Sequence, residues 1–142
     1  MRAVLDACVL VPPVVRDCLL EVASEGLLTP LWSARILEEW RRAGLKHGQD
    51  ARPAIAGALA AFPLALVPPA PGIEARLHLR DENDIHVLAT AIAGSADGIV
   101  TWNAADFPRG VLAGEGLDRR DPDGLLWEIW SRPPEAAGRA LE

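Results

Sequence analysis

Apolar residues recur along this chain in two rhythms: short continuous runs, and stripes spaced three and four residues apart. The rhythms alternate. Arg2–Leu5 reads as a short apolar strand with Asp6 at its carboxyl end. Pro12 and Pro13 open a helix whose Val14, Val15, Cys18, Leu19 and Val22 share one face, with Gly26 as the stop. Residues 27–32 form a second β-like run, after which Ser33 caps a helix continuing to about Lys46. An Ala-rich, weakly patterned helix is expected over residues 50–61, a short strand over 65–67, a turn-rich connector over 68–72 and a short helix over 73–79. From Asp84 the apolar residues Val87, Leu88, Ala91 and Ile92 return at helical spacing. Gly94 or Gly98 ends that helix, and residues 98–101 read as a buried strand. After Phe107 the pattern loosens until a terminal helix over 121–131, with Leu125, Leu126, Ile129 and Trp130 on its apolar side. Strands alternating with helices predict an α/β fold, three layers with a mainly parallel central sheet, in one domain over residues 1–131. The remainder, 132–142, is a polar, Pro-opened tail expected to fray.

Sites in such sheets gather beyond the carboxyl ends of the strands. Asp6 follows one predicted strand, and Asn103 and Asp106 follow another. Asp84 heads the helix that feeds the second of these, with Val87, Leu88 and Ala91 as its helical neighbours, so its carboxylate leans toward packed surface. Two readings of this acidic helix start are open. Asp81 and Asp84 are capping residues bonded to free N–H groups, or Asp84 is a metal ligand. The helix after Ser33 offers a choice of its own. Glu38 lies opposite the buried arc of Ile36, Leu37, Trp40, Ala43 and Gly44, within pairing distance of Arg35, Arg41 and Arg42, and reads as a solvated charge. Glu39 lies at the edge of the arc and is the glutamate placed to enter a site. Acids gathered from such distant positions repel unless cations neutralise them, and hard Mg²⁺ or Mn²⁺ suits oxygen donors.

Composition narrows the picture. The 142 residues are half hydrophobic, enough for one sizeable core, and no run approaches a membrane span. The opening apolar run stops at Asp6, so no signal peptide is expected and the cytoplasm is the default location. A net charge of −6 argues against holding nucleic acid on a general basic surface, though not against a site in which divalent cations bridge carboxylates to phosphates. Cys8 and Cys18 are too far apart for a redox pair or a zinc pattern, and Cys18 reads as core. His86 is expected on the far side of the helix turn from Asp84, as a half-exposed packing residue. Trp32 and Trp40 are read as core; exposed, they would mark a dimer or partner-protein surface. Arg35, Arg41, Arg42, Lys46 and His47 either guide RNA or form an ordinary solvated helix face.

Three segments, VLDACVL, WSARILEEW and DENDIHVLATAIAGSADGIVTWNAADFP, resemble the PIN-domain family, and within it the VapC-like branch of toxin ribonucleases. They cover about a third of the chain, while the order of elements matches across nearly all of it. The resemblance implies a PIN-like fold and a Mg²⁺- or Mn²⁺-dependent endoribonuclease that hydrolyses phosphodiesters with metal-activated water. It places the metal-site and catalytic acids on Asp6, Glu39 and Asp84, with Asp81 auxiliary. The fourth position, often Asp after a Thr-x pair, is Asn103, with Asp106 close behind. Either Asp106 supplies the fourth carboxylate or the site has one charge fewer. Thr101 is a candidate to orient a ligand or water, and Cys8 stands where a polar Asn or Ser is common. The partners implied are an RNA substrate and a cognate antitoxin protein; a homodimer is left open and no membrane is involved. Two other readings compete. One is a PIN-like module that binds RNA or protein without cutting, motivated by Asn103 and Cys8. The other is a phosphatase, for which Asp6-Ala7-Cys8 lacks the second acid of an aspartyl-phosphate motif.

Overall fold

The computed structural model describes residues 1–132. In chain order the elements are Arg2–Leu5 (β1), Ala7–Leu10 (α1), Pro13–Ser24 (α2), Thr29–Leu31 (β2), Ala34–Lys46 (α3), Arg52–Ala61 (α4), Pro71–Arg76 (α5), Ile85–Ala93 (α6), Gly98–Val100 (β3), Arg109–Gly114 (α7), Asp118–Arg120 (β4) and Pro122–Trp130 (α8). Short 3-10 turns at Glu82–Asp84 and Ala104–Asp106 flank α6 and β3. The four strands form one sheet in the order β2-β1-β3-β4, and every pairing is parallel. Helices flank it, giving the expected α/β architecture. The expected tail, from residue 133 onward, lies outside the described residues.

Strand order positions the site. From β1 the chain passes to β2 on one side, then returns to place β3 and β4 on the other. The direction of winding therefore reverses between β1 and β3, which opens a crevice at their carboxyl ends. Ala3, Val4, Leu5, Ile99 and Val100 have no solvent exposure, so the two central strands run through the middle of the core. Trp32 and Trp40 are buried as expected. Among the described residues no helix is long and apolar enough to cross a membrane.

Local chemistry sets most of the element ends. Ser33 Oγ accepts the Ile36 N–H at 3.1 Å and starts α3. Past the end of α2, Gly26 adopts a φ of +80° and the Leu27 N–H reaches back to the Val22 carbonyl at 3.1 Å, a Schellman closure that a Cβ would strain. Pro30 sits in β2 without cost because β2 is an edge strand on its open side. The 65–67 run contributes a single bridge, Trp32 to Leu66, rather than a strand.

Several expectations change. Val14 is 76% exposed: the buried part of α2 is its second half, Leu19, Val22 and Ala23, and the first turn lies outside the core. Trp130 is 61% exposed because the buried arc of α8 centres on Pro122, Leu125 and Ile129, which turns the last residue outward. The loose pattern after Phe107 conceals α7 and β4. β4 reads Asp-Arg-Arg and carries no apolar signal, since an edge strand needs backbone pairing and not a buried face. α1, a single turn after Asp6, and the start of α5 at Pro71 were likewise not resolved by periodicity.

Gly98 pairs with Asp118, and a Cβ built on it would lie 2.9 Å from the Asp118 carbonyl oxygen, which is main chain and cannot swing away. Gly98→Ala should therefore lower stability by about 1–3 kcal/mol through strain between β3 and β4. Gly57 lies inside α4 with open space where its Cβ would be, and Gly57→Ala should raise stability by roughly 0.5–1 kcal/mol. Urea unfolding midpoints of the two variants should move in opposite directions.

Candidate metal centre

β1 ends at Leu5, opposite Val100 at the end of β3, so the next residue of each strand, Asp6 and Thr101, emerges at the same edge of the sheet. The Thr101 hydroxyl donates to Asp6 Oδ2 at 2.9 Å, and the Ala7 N–H donates to Oδ1 at 2.8 Å. Asp6 thus caps α1 while its side chain stays 8% exposed. Burial is the largest influence on it and pushes its carboxyl above the usual range; the Thr101 and Ala7 bonds oppose this, and the Glu39 charge adds to it.

Cys8 closes the back of this pair. Its Sγ lies 3.3 Å from Thr101 Oγ1 and 3.8 Å from Asp6 Oδ2, and it accepts the Trp102 N–H at 3.3 Å. Burial, then the Asp6 charge, raises its pKa and keeps it a thiol. The thiol stands in hydrogen-bonding range of the same groups an Asn or Ser would meet, with weaker bonds. Thr101 also accepts the Asn103 N–H at 3.0 Å, which fixes the start of the loop beyond β3.

The acidic helix start divides cleanly. Asp81 is a cap, accepting the Asn83 N–H at 2.9 Å. Asp84 is not: it occupies the cap position of α6 with helical φ and ψ and makes no side-chain cap bond. Its Oδ2 is buried without a hydrogen-bond partner among the described residues. Burial raises its pKa to about 6, with further upward pushes from Asp106, Asp81, Asp6 and Glu39. Four acids, from the end of β1, α3, the turn before α6 and the loop after β3, therefore lie within electrostatic reach of Asp84. Among the described residues no Lys or Arg lies within 4.0 Å of a carboxylate oxygen of Asp6, Glu39, Asp84 or Asp106.

Glu38 and Glu39 part as the helical arc requires. Glu38 is held by Arg41 and Arg42 on the outer face of α3, which lowers its pKa to about 2, and Arg35 faces Glu74 at 3.9 Å. Three of the basic residues considered as an RNA guide thus carry acidic neighbours. Glu39 instead turns toward α6, where its Oε1 lies 2.9 Å from His86 Nε2. His86 is 4% exposed, not half-exposed as expected. Residues 86–91 are all buried, so α6 is a helix without a solvent face, and the side of the turn away from Asp84 meets protein. The nearly unbroken apolar run after His86 was the signal for this.

Asp106 is half-buried on the 3-10 turn after β3, whereas Asn103 is exposed and caps nothing with its side chain. Arg119, on β4, donates to the Ala104 and Phe107 carbonyls at 2.6 and 3.0 Å and ties this turn to the sheet edge. Among the described residues no three His, Cys, Asp or Glu side chains are gathered closely enough to hold a metal ion as they stand. The donor set nevertheless fits a hard divalent cation: all the acids offer oxygen, they repel one another, and Asp84 Oδ2 is buried with nothing to bond.

A model of the PIN domain matches residues 2–105, from the start of β1 to the turn that carries Asp106. No curated protein matches the chain. PIN domains are typically metal-dependent nucleases and commonly use Mg²⁺ or Mn²⁺. With a family match across most of its length and an all-parallel four-stranded sheet between helices, this chain belongs to the PIN-domain family.

Proposed function

We propose that this PIN-domain protein is a metal-dependent endoribonuclease, VapC-like in type, and the toxin of a cytoplasmic pair in which a cognate antitoxin protein holds it inactive. The observation that supports the nuclease reading is the cluster of acids without a Lys or Arg partner, Asp84 Oδ2 with no partner at all, at the switch point between β1 and β3. The toxin role draws on the three VapC-like sequence segments.

In this reading Asp6, Asp84 and Glu39 hold Mg²⁺ or Mn²⁺, and Asp106 completes the acidic set in place of the neutral Asn103. Thr101 and the Ala7 N–H keep the Asp6 carboxylate in one orientation, so little ordering remains for binding. Binding would give the buried Asp84 Oδ2 the partner it lacks. An RNA phosphate approaching five acids would be repelled, which makes cation binding a condition of substrate entry. Once bound, the ion supplies positive charge to the crowded phosphate and acidifies water for in-line attack. Asn103, neutral and exposed at the rim, is placed to donate to a phosphate or water rather than to repel it. The non-cutting reading rests on the same neutral Asn103, and turnover decides between the two.

Purified protein should cleave single-stranded RNA when Mn²⁺ or Mg²⁺ is added. Asp6→Asn and Asp84→Asn should each reduce cleavage by about 100-fold or more with the fold intact by circular dichroism. Undiminished cleavage in both variants would overturn the site. Asp106→Asn should cost about 10- to 100-fold in metal affinity, and Asn103→Ala far less, if Asp106 is the fourth acid.

Proton and cation compete for Asp84. Its folded pKa of about 6 lies above the ordinary 3.8, so the metal-free fold prefers the protonated acid. That stability is fully present below the ordinary value and is lost as pH rises through about 6. Metal-free melting temperature should fall between about pH 4 and pH 7, and Mn²⁺ should raise it most at the upper end. Asp84→Asn should flatten both responses in thermal melts.

A further inference from the structure

We propose that His86 is a positioning residue for Glu39: from the first turn of α6 its imidazole engages Glu39 Oε1 and leaves Oε2 as the oxygen available to a cation. The inference rests on the metal-nuclease reading and goes beyond it, because it names the side chain that fixes the geometry of one acid.

Three observations carry it. His86 Nε2 lies 2.9 Å from Glu39 Oε1, while the ring is 4% exposed and both of its nitrogens are shut off from solvent. Neither nitrogen has an in-line hydrogen-bond partner among the described residues, and buried polar atoms in folded proteins rarely stay unpaired. A small rotation of the half-exposed Glu39 carboxylate would complete the bond at the distance already present. Packing alone does not account for the residue. The other buried positions of α6 are Val87, Leu88, Ala89, Thr90 and Ala91, and Thr90 satisfies its own hydroxyl by donating to the His86 carbonyl at 2.7 Å. An imidazole in that company, directed at a carboxylate on another helix, joins two elements. His86 is two residues from Asp84, so the contact sets Glu39, carried by α3, at a fixed offset from the acid that heads α6. Long glutamate side chains have several rotamers, and holding one oxygen removes most of that freedom before the cation arrives.

The test compares His86→Phe, which keeps the ring volume without nitrogens, with His86→Gln, whose amide can donate from about the position of Nε2. Mn²⁺ affinity is read by electron paramagnetic resonance titration, and kcat and KM by RNA cleavage. His86→Phe should bind Mn²⁺ about 10- to 100-fold more weakly, and His86→Gln should recover most of the loss. Glu39→Gln should be as weak as His86→Phe, and the double variant no weaker than either. Wild-type Mn²⁺ affinity in a folded His86→Phe protein would overturn the positioning role. Should that variant fail to fold, His86→Asn, whose amide falls short, takes its place, and equal affinities for the Asn and Gln variants overturn the proposal. The underlying reading fails separately, when wild-type protein binds no Mn²⁺ or when Asp84→Asn leaves binding unchanged.

Discussion

Parallel pairing of β1 with β3 is the constraint from which the rest of the molecule follows. These strands are far apart in sequence, and their register puts Leu5 opposite Val100. Asp6 and Thr101 are thereby brought side by side, and a 2.9 Å hydrogen bond fixes them. The same pairing makes the winding reverse, so that α3 and the head of α6 can each deliver an acid to the crevice. A slip of one residue would point Asp6 into the opposite layer and expose the apolar strand face.

Such a gathering works against the fold that makes it. Carboxylates in partial burial lose hydration and repel one another, and both influences act on Asp84. Elsewhere the chain handles its charges conventionally: Glu38 with Arg41 and Arg42, Asp50 with Arg52, Glu115 with Arg76. Those pairs lie at the surface and each contributes little. At the crevice no such pairing occurs among the described residues, although arginines are plentiful on the same helix. Partly buried acids that repel one another, with no Lys or Arg beside them, favour a positive ligand.

The sequence disclosed what periodicity encodes and concealed what topology decides. Glu39 could be separated from Glu38 because a helix of known phase has one buried arc, and Ser33 marked where that phase begins. β1 and β3 were legible as short apolar runs before acids or polar loops. β4 was not, because Asp118–Arg120 contributes backbone pairing at an edge and buries almost nothing. Asp81 and Asp84 looked alike as helix-start acids, and only the hydrogen-bond pattern distinguishes the cap from the orphan. His86 was misplaced for a similar reason. Helical spacing tells which residues share a side, but not that a second helix covers the other side. Trp130 failed in the opposite sense: hydrophobic character promised burial that a nine-residue helix with a narrow arc does not provide.

Arg119 has a thermal consequence. Its guanidinium fastens the Ala104 and Phe107 carbonyls, and hence the turn bearing Asp106, to an edge strand three residues long. Edges fray at lower free-energy cost than cores. On warming, the turn loses its mooring while β1 and β3 are still paired. Loosening around Asp106 and global melting are then separate events, the first at temperatures where the core is still folded.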